Sequence, residues 1–294
     1  MSAPIIVALP GNEVLGARLA EGLGGGLADA EFRRFPDGES YVRLATPVTG
    51  RSVVLACTLD RPDEKFLPLA FAAATARELG ATKVGLVAPY LGYMRQDKRF
   101  KAGEAVTSAL FARMLSSSLD WLVTVDPHLH RLSALDEIYG IPTRAIHAAP
   151  LIARWIANNL SRPLLIGPDA ESEQWVAAIA AECRAPHIVL QKVRHGDRDV
   201  EISLPDINRW RDHTPVLIDD IISSARTMIE ALSQLGKQAR NSAVCVGVHG
   251  IFAPGAYEGL KTVSSRIITT NTIGHETNGI EVTPLLLEAI GTIR

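Results

Sequence analysis

Residues 215–228 read Pro-Val-Leu-Ile-Asp-Asp-Ile-Ile-Ser-Ser-Ala-Arg-Thr-Met, and this stretch decides the fold. Its apolar, largely β-branched run Val216–Ile218 is typical of a short buried strand. Two acids, Asp219 and Asp220, follow that run, and the pattern becomes helical from Thr227 onward. A buried strand that leads through a polar turn into a helix indicates an α/β fold with a mainly parallel sheet.

The polar turn has the chemistry of a sugar-phosphate site. In open α/β sheets, ligands bind just beyond the carboxyl ends of strands. The N-terminus of a helix there offers unpaired N–H groups and a positive dipole end to a phosphate. The paired acids suit the vicinal hydroxyls of a sugar, or a Mg²⁺ bound to them. The simpler alternative is a turn whose acids and hydroxyls only cap the helix. The turn comprises Ser223, Ser224, Ala225, Arg226 and Thr227.

Strand-like and helical segments alternate along the rest of the chain, which predicts parallel sheets flanked by helices. A chain of 294 residues can hold two domains of about 150 residues each. We place an N-terminal domain at 1–145, completed by the tail 282–294, and a C-terminal domain at 146–281. The runs Val53–Leu55 and Val216–Ile218 form a weak echo between the halves. Helices are predicted at about 66–79, 104–115, 149–159, 171–182, 227–235 and 284–290.

The overall charge excludes two broad classes of binding protein. A net charge of −2 and an isoelectric point near 6.5 argue against a general nucleic-acid or membrane-surface binder. Apolar residues make up 47% of the chain and charged residues 21%, which is ordinary for a soluble globular protein. Basic residues do cluster locally, in Arg95–Lys101 and Lys192–Arg198. Such clusters suit a small anionic ligand better than a polyanion.

The cysteines and the N-terminus indicate an ordinary intracellular protein. Cys57, Cys183 and Cys245 form no Cys-x-x-Cys pair, so neither a zinc knuckle nor a redox pair is indicated. The first ten residues lack the basic segment of a signal peptide, and no stretch reaches the roughly 20 apolar residues of a membrane span. We therefore expect a cytoplasmic location.

A second informative stretch, residues 88–104, follows another predicted strand and reads Ala-Pro-Tyr-Leu-Gly-Tyr-Met-Arg-Gln-Asp-Lys-Arg-Phe-Lys-Ala-Gly-Glu. Pro89 and Gly92 interrupt regular structure. Four cations then fall within seven residues, and charge-assisted bonds to a polyphosphate are roughly twice as strong as neutral ones. For the charges alone, a solvated basic loop is the alternative. The cations are Arg95, Lys98, Arg99 and Lys101.

Both stretches resemble one enzyme family. Residues 215–228 are similar to the ribose-phosphate loop of phosphoribosyltransferases and of phosphoribosyl diphosphate (PRPP) synthetases, which are also called ribose-phosphate diphosphokinases. Pro89–Lys98 resembles the ATP-binding segment of the synthetases, and Asp97–Glu104 resembles their shorter, archaeal-type branch. The family usually has Gly before the final Thr of the loop, where this chain has Arg226. The resemblance runs nearly the whole chain and implies two tandem phosphoribosyltransferase-like domains, each a mainly parallel sheet flanked by helices.

The resemblance implies an ATP site shared between subunits. Arg95 and Gln96 would hold ATP, and the loop 34–39 of a neighbouring chain would pack an aromatic ring on adenine and add two polar contacts. A homo-oligomer, at least a dimer, follows from a shared site. The same loop also predicts a Pro-Asp-Gly turn between strands, and both can hold. The loop residues assigned to ATP are Phe35, Asp37 and Glu39.

Mg²⁺ is the implied cofactor. The family has Asp-x-His where this chain has Asp126-Pro127-His128, which assigns the metal to His128, and Asp169 matches the second metal residue. By itself, Asp169 is equally typical of a turn or a helix N-cap. Mg²⁺ prefers oxygen ligands and is usually bound through few protein groups plus substrate phosphates. Strand alternation puts Lys192 and Arg194 on one side, and the resemblance makes them catalytic cations that close over the transferring group.

The family's reaction transfers the diphosphoryl group of ATP to the anomeric hydroxyl of ribose 5-phosphate, which gives PRPP and AMP. Asp219 and Asp220 would then hold the ribose hydroxyls, directly or through metal, and residues 223–227 would cradle the 5-phosphate. A nucleobase phosphoribosyltransferase is one alternative, against which the segment Pro89–Lys98 argues. A non-catalytic regulatory relative is the other, and Arg226 keeps it open. ATP and ribose 5-phosphate are the expected partners, with no nucleic acid or membrane.

Overall fold

The computed structural model describes residues 3–194, 200–203, 207–238 and 240–293, without the side chains of 191–194, 200–203 and 236–238. The chain divides into two compact units. The first contains residues 1–146 and 283–294, and the second contains residues 147–282. Each unit builds its own six-stranded parallel sheet, which confirms the predicted α/β class with two tandem sheets.

In the part of the first unit that the structure describes, there are one parallel sheet, one hairpin and four α-helices. Its strands are β1 (Ile5–Ala8), β2 (Gly26–Leu27), β3 (Ala30–Arg34), β4 (Ser40–Leu44), β5 (Ser52–Ala56), β6 (Lys83–Ala88), β7 (Trp121–Val125) and β8 (Thr143–Ile146). Its helices are α1 (Glu13–Gly22), α2 (Pro62–Glu78), α3 (Thr107–Ser118) and α8 (Thr283–Ile293). The sheet order is β2-β1-β5-β6-β7-β8, with every neighbouring pair parallel. Strands β3 and β4 form a separate antiparallel hairpin.

The second unit has the same plan. Its strands are β9 (Pro163–Gly167), β10 (His187–Val189), β11 (Gln191–Arg194), β12 (Val200–Ser203), β13 (Thr214–Ile222), β14 (Val244–Gly250), β15 (Arg266–Thr270) and β16 (Asn278–Ile280). Its helices are α4 (Ala149–Asn159), α5 (Glu173–Cys183), α6 (Arg226–Gln238) and α7 (Ala256–Val263). The parallel sheet has the order β10-β9-β13-β14-β15-β16, and β11 and β12 form an antiparallel hairpin.

The two sheets have identical strand orders when the hairpins are set aside. Numbered within its own unit, each sheet runs 2-1-3-4-5-6, and each hairpin is inserted between the second and third strands. The runs Val53–Leu55 and Val216–Ile218 lie on the third strands β5 and β13. The echo seen in the sequence therefore reflects equivalent strands of two similar sheets.

The apolar content of these strands follows from their position. Val53–Ala56 on β5 and Val216–Ile218 on β13 are inaccessible to solvent, as expected for central parallel strands covered on both faces. In the first unit, α2 buries Leu69, Ala72, Ala73 and Ala76. The buried central strands hold the carboxyl edge of each sheet in place, and the candidate ligand groups lie at or near that edge.

The predicted end of the strand at Ile218 is wrong. Strand β13 continues to Ile222, so that Asp219 and Asp220 lie inside the strand and not after it. The reason is that Ile221 and Ile222 pair with β14 and prolong the parallel ladder beyond the acids.

Helix prediction succeeded unevenly. The helix at 149–159 is confirmed, whereas α2 begins at Pro62 and not near 66, and α3 begins at Thr107 and not near 104. Helices α1 and α7 were missed. Glycine lowers helix propensity, yet Gly16 within α1 is required, because a Cβ there would lie 2.6 Å from the Ala8 Cβ.

None of the helices in the described part of the chain combines the length and the apolar composition that a membrane span needs.

Candidate active site

The acid pair of the second unit lies on β13 in an environment that disfavours its charge. Loss of hydration on burial raises the pKa of Asp219 well above its ordinary value, and the charges of Asp220 and Asp169 raise it further. The backbone N–H of Asp220 donates to the Asp219 Oδ1 at 3.0 Å. The sequence predicted these three acids to follow two separate strands, and the structure brings Asp169 within electrostatic reach of Asp219.

Asp169 has two roles in the structure. It directly follows β9 and caps the short 3₁₀ helix Ala170–Ser172, because its side chain accepts from the Ser172 backbone N–H at 3.3 Å. The N-cap alternative therefore holds. It also contributes to the raised pKa of Asp219. Carboxylate oxygens are the ligands that Mg²⁺ prefers, and this ion is usually held by few protein groups together with substrate phosphates, so the acid pair Asp219 and Asp220 fits that ion by its chemistry.

The turn after β13 is braced by the neighbouring strand. After β14 ends, the backbone N–H of Phe252 donates to the Ile222 carbonyl at 3.0 Å, and that of Ala253 donates to the Ser223 carbonyl at 3.1 Å. Helix α6 then begins at Arg226, with no acid in its first turn. Its N–H groups and dipole are thus not offset by a carboxylate of that turn, as an anion site requires.

Ala225, which belongs to the predicted phosphate turn, has a backbone conformation that the sequence did not predict. Its φ of +56° lies in the left-handed region, and its side chain is buried. A left-handed conformation costs an L-residue about 1–2 kcal/mol, and such strain clusters at ligand sites. The sequence reasoning instead singled out Arg226, which is exposed at the start of α6. A signal was available in principle, since a small residue between two serines and a helix start marks a tight turn.

The catalytic cations were predicted on the hairpin of the second unit. Lys192 and Arg194 both lie on β11, where Lys192 pairs with Ile202 and Arg194 pairs with Val200 of β12. Alternation along a strand places them on one side. Their side chains, and residues 195–199 between the strands, lie outside the described part of the structure.

The loop that the sequence predicts to bind ATP is the turn of the β3–β4 hairpin in the first unit. In this turn, the backbone N–H of Phe35 donates to the Glu39 carbonyl at 2.8 Å, and the backbone N–H of Glu39 donates to the Asp37 Oδ1 at 3.2 Å. The predicted turn is confirmed. The Phe35 side chain is 40% exposed, and the guanidinium carbon of Arg33 lies 4.7 Å from its ring centroid. An exposed ring on a tight turn can stack on a ligand.

The ATP segment follows β6 and is fixed by side chains on both neighbouring helices. The Thr107 hydroxyl, in the first turn of α3, donates to the Gln96 Oε1 at 3.0 Å. The Tyr93 hydroxyl donates to Asp63 in the first turn of α2. Tyr93 has φ +64° and packs on Phe111 with ring centroids 4.8 Å apart. Arg95 is exposed beside these anchored residues.

The predicted metal loop follows β7 in the same unit. Asp126 has φ +34°, and the rings of His128 and His130 stack in parallel with centroids 6.1 Å apart. Arg131 forms an ion pair with Asp97 of the ATP segment at 2.8 Å. Asp63 and Arg131 are two further residues that the sequence reasoning missed. Among the described residues, no three His, Cys, Asp or Glu side chains form a metal-binding group.

The chain matches two family models over most of its length. The N-terminal domain of ribose phosphate pyrophosphokinase matches residues 4–118, and the phosphoribosyl transferase domain matches residues 134–283. The chain belongs to the ribose-phosphate pyrophosphokinase family. This is the PRPP synthetase family that the sequence motifs predicted, and the prediction is confirmed.

Relatives and one solved structure agree with this assignment. The chain is 33% identical over 294 residues to a ribose-phosphate pyrophosphokinase of Methanothermobacter thermautotrophicus, which covers 97% of this chain and 99% of the relative. It is 32% identical over 289 residues to that of Methanopyrus kandleri, covering 97% and 98%. The phosphoribosylpyrophosphate synthetase of Mycobacterium smegmatis shares the fold, with a TM-score of 0.84, 20% identity and 99% coverage of both chains.

Proposed function

We propose that this protein catalyses the family reaction, in which ATP and ribose 5-phosphate give PRPP and AMP. The observation that carries the proposal is the combination of two similar sheets with different chemistry. The first carries the ATP segment with Arg95 and Gln96, and the second carries the acid pair and the turn at the start of α6. A nucleobase phosphoribosyltransferase would have no use for the ATP segment. The nearly full-length similarity to enzymes named ribose-phosphate pyrophosphokinase supports the same choice.

The second unit would bind the sugar phosphate. The first-turn N–H groups of α6 and the hydroxyls of Ser223, Ser224 and Thr227 would hold the 5-phosphate. Asp219 and Asp220 would accept hydrogen bonds from the ribose hydroxyls or bind Mg²⁺. Arg226 would add a charge-assisted bond to the phosphate at the helix start. These residues orient the anomeric hydroxyl, whose positioning is a large part of catalysis in such reactions.

The first unit would bind ATP. Arg95 and Gln96 would hold the nucleotide, and Phe35, Asp37 and Glu39 of a neighbouring subunit would complete the site, which requires at least a dimer. His128 in the first unit and Asp169 in the second are the proposed Mg²⁺ residues. When bound, Mg²⁺ would neutralise negative charge on the polyphosphate.

The chemical step is a displacement at phosphorus. The anomeric oxygen attacks the β-phosphorus of ATP and loses its proton, the bond from that phosphorus to the bridging α–β oxygen breaks, and AMP leaves with that oxygen. Lys192 and Arg194 would stabilise the charge on the transferring diphosphoryl group. Phosphoryl transfer depends on such positioning and charge stabilisation, with little covalent help from the protein.

Release of AMP tests the proposal directly. The purified protein is incubated with ATP and Mg²⁺, with and without ribose 5-phosphate, and AMP and PRPP are quantified. We expect AMP that depends on the sugar phosphate and PRPP in equal amount. Bound ATP without any AMP would instead support the regulatory alternative. Nucleobase-dependent consumption of PRPP, with release of diphosphate and formation of a nucleotide, would support the phosphoribosyltransferase.

A further inference from the structure

Arg131 connects two segments that the sequence treats as separate. It lies three residues after His128, and its Nη1 donates to the Asp97 Oδ1 at 2.8 Å. Its guanidinium carbon also lies 6.0 Å from the ring centroid of Phe100. Asp97 and Phe100 belong to the ATP segment, so one arginine of the metal loop contacts that segment at two points.

The carboxylate of Asp97 depends on this arginine. Its side chain is only 4% exposed, and its Oδ2 is buried with no hydrogen-bond partner among the described residues. A buried carboxylate that loses its cation is strongly destabilised, because neither water nor another donor compensates its charge. The ion pair is therefore expected to persist, although the Arg131 side chain is itself 40% exposed.

Asp97 directly follows Gln96, which is held at the start of α3. The Gln96 carbonyl accepts from the Ser108 N–H at 3.3 Å, and its side chain accepts from Thr107 at 3.0 Å. A shift of Asp97 would therefore move Gln96 and, one residue earlier, Arg95. The position of the nucleotide-binding groups is coupled through the backbone to the ion pair.

The other end of the ion pair is anchored in the core. Leu129 and Leu132, on either side of Arg131 along the chain, pack against the buried cluster of the first unit. Close after them, the Glu137 carboxylate accepts from the Ser133 N–H at 2.6 Å and the Ala134 N–H at 3.2 Å. Arg131 therefore extends from a loop that is fixed at two leucines and at its C-terminal end.

We propose that Arg131 is a positioning residue for ATP. Through its ion pair with Asp97, it holds the ATP segment in a fixed position relative to the metal loop at His128. The inference rests on the proposed ATP site of the first unit. Loss of the arginine would leave the ribose 5-phosphate groups of the second unit untouched. The expected signature is thus a loss of ATP affinity without a loss of sugar-phosphate affinity.

The first unit contains a matched control pair. Arg77 pairs with Asp120 at 3.0 Å, and the Arg77 side chain is 39% exposed, nearly the same as Arg131. Asp120 precedes β7, so this pair lies at the amino edge of the sheet, away from the proposed ATP segment. The Asp120 side chain is 35% exposed and that of Asp97 only 4%, so the two arginine variants are compared by their effect on ATP binding and not by their loss of stability.

The test compares Arg131→Ala, Arg131→Lys and Arg77→Ala. Binding of Mg-ATP is measured by calorimetry, the KM values for ATP and ribose 5-phosphate by AMP release, and folding by thermal melting. We expect Arg131→Ala to weaken ATP binding and raise the ATP KM at least tenfold, with the ribose 5-phosphate KM within twofold of the parent. Arg131→Lys should recover part of the loss, and Arg77→Ala should leave both KM values within twofold.

A second variant, Asp97→Asn, keeps the test decisive if Arg131→Ala fails to fold. Asp97→Asn removes the buried charge and should reproduce the loss of ATP affinity in a folded protein. Unchanged ATP affinity in Arg131→Ala and Asp97→Asn, or an equal loss in Arg77→Ala, would overturn the inference. A parent protein that binds no ATP would also overturn it. A parent that binds ATP but releases no AMP would refute the proposed reaction alone, because the binding comparison still decides the role of Arg131.

Discussion

Both units have acids near the third strand of the sheet: Asp219 and Asp220 lie within β13, whereas Asp60 lies beyond the end of β5 at Ala56. The charges of these acids are compensated differently. After β5 in the first unit, Asp60 forms an ion pair with Lys65. On β13 in the second unit, loss of hydration on burial raises the pKa of Asp219, and the charges of Asp220 and Asp169 raise it further. An acid whose charge is compensated by a cation of the same unit stabilises the fold. A cluster of repelling acids lowers stability and suits a cationic or hydroxyl-bearing ligand.

The helices that follow β5 and β13 also differ in the charges of their first turns. The first turn of α2 contains Asp63 and Glu64, whose charges complement the helix dipole. The first turn of α6 contains no acid and begins with Arg226. An external anion would be repelled at α2 and attracted at α6. Two helices at equivalent positions therefore differ in whether their dipole is satisfied internally or left for a phosphate.

The hairpins are the third difference. Both are inserted between the second and third strands of their sheets, yet β3–β4 carries Phe35 with Asp37 and Glu39, and β11–β12 carries Lys192 and Arg194. The first set suits a nucleobase, and the second suits a polyphosphate. The same structural insertion would thus serve two different parts of the proposed substrates.

Removal of the Lys192 side chain on β11 should give the largest loss of catalytic activity. Loss of a preorganised charge-stabilising group costs about 3–4 kcal/mol in the transition state. We therefore expect Lys192→Ala to lower kcat by at least about a hundredfold, with an unchanged melting temperature. Arg43→Ala, an exposed arginine on the hairpin of the first unit, is the control and should retain normal kcat. Near-normal turnover in Lys192→Ala would remove its assigned role.

Reversal of charge at α6 should give the next largest effect. Arg226→Glu loses a charge-assisted hydrogen bond worth about 1.5–3 kcal/mol and adds repulsion, so the KM for ribose 5-phosphate should rise by about 30-fold or more. Steady-state AMP release measures it. The control Glu64→Arg reverses a first-turn charge on α2 and should lower stability by about 0.3–1 kcal/mol without changing that KM. A lower KM in Arg226→Glu would mean that the arginine crowds the turn.

Neutralisation of Asp219 should raise stability while abolishing activity. Because its pKa is raised on folding, the folded protein binds more protons than the unfolded chain, and the free energy of unfolding falls as pH rises through that window. In Mg²⁺-free buffer, Asp219→Asn should therefore melt a few degrees above the parent at pH 7, with the gap shrinking toward the ordinary Asp pKa of 3.8.

The equivalent change in the first unit should have the opposite sign. Asp60→Asn breaks the ion pair with Lys65, whose ammonium retains its hydrogen bond to the Thr58 carbonyl but loses the compensating negative charge. We expect a lower melting temperature, by roughly 2–4 °C for each 1 kcal/mol lost. Stabilisation by both variants, measured by differential scanning fluorimetry, would contradict the contrast between the two acids.

Relief of the strained turn should give the smallest effect. Ala225→Gly removes left-handed strain of about 1–2 kcal/mol but adds about 0.4–1 kcal/mol of unfolded-state entropy, so the net gain should stay near 1 kcal/mol. Arg184→Gly, at another left-handed residue with φ +54° outside the site, should behave alike. Ala225→Val should destabilise, since β-branched residues rarely adopt positive φ. Chemical denaturation measures all three.

Much of the site could be predicted because it follows strands. A buried strand, a polar turn and a helix start are local patterns, and parallel strands bring their carboxyl ends to one edge. The ion pair of Arg131 with Asp97 could not be predicted in this way. The two residues are 34 positions apart, and either one alone reads as a surface charge in a loop. The raised pKa of Asp219 likewise depends on Asp169, which follows another strand.

The sequence by itself determined the α/β class, the family and the identity of the candidate ligand groups. The class follows from the period of buried positions within short segments, whereas the family and the candidate ligand groups follow from the resemblance of two short motifs to those of a known family. Only the tertiary structure decided that β13 extends through the acid pair, that Ala225 adopts a left-handed conformation, and that Asp60 pairs with Lys65 while burial and neighbouring acids raise the pKa of Asp219. Strand pairing, backbone strain and charge compensation all arise between distant segments, and a linear pattern contains no information on which segments meet.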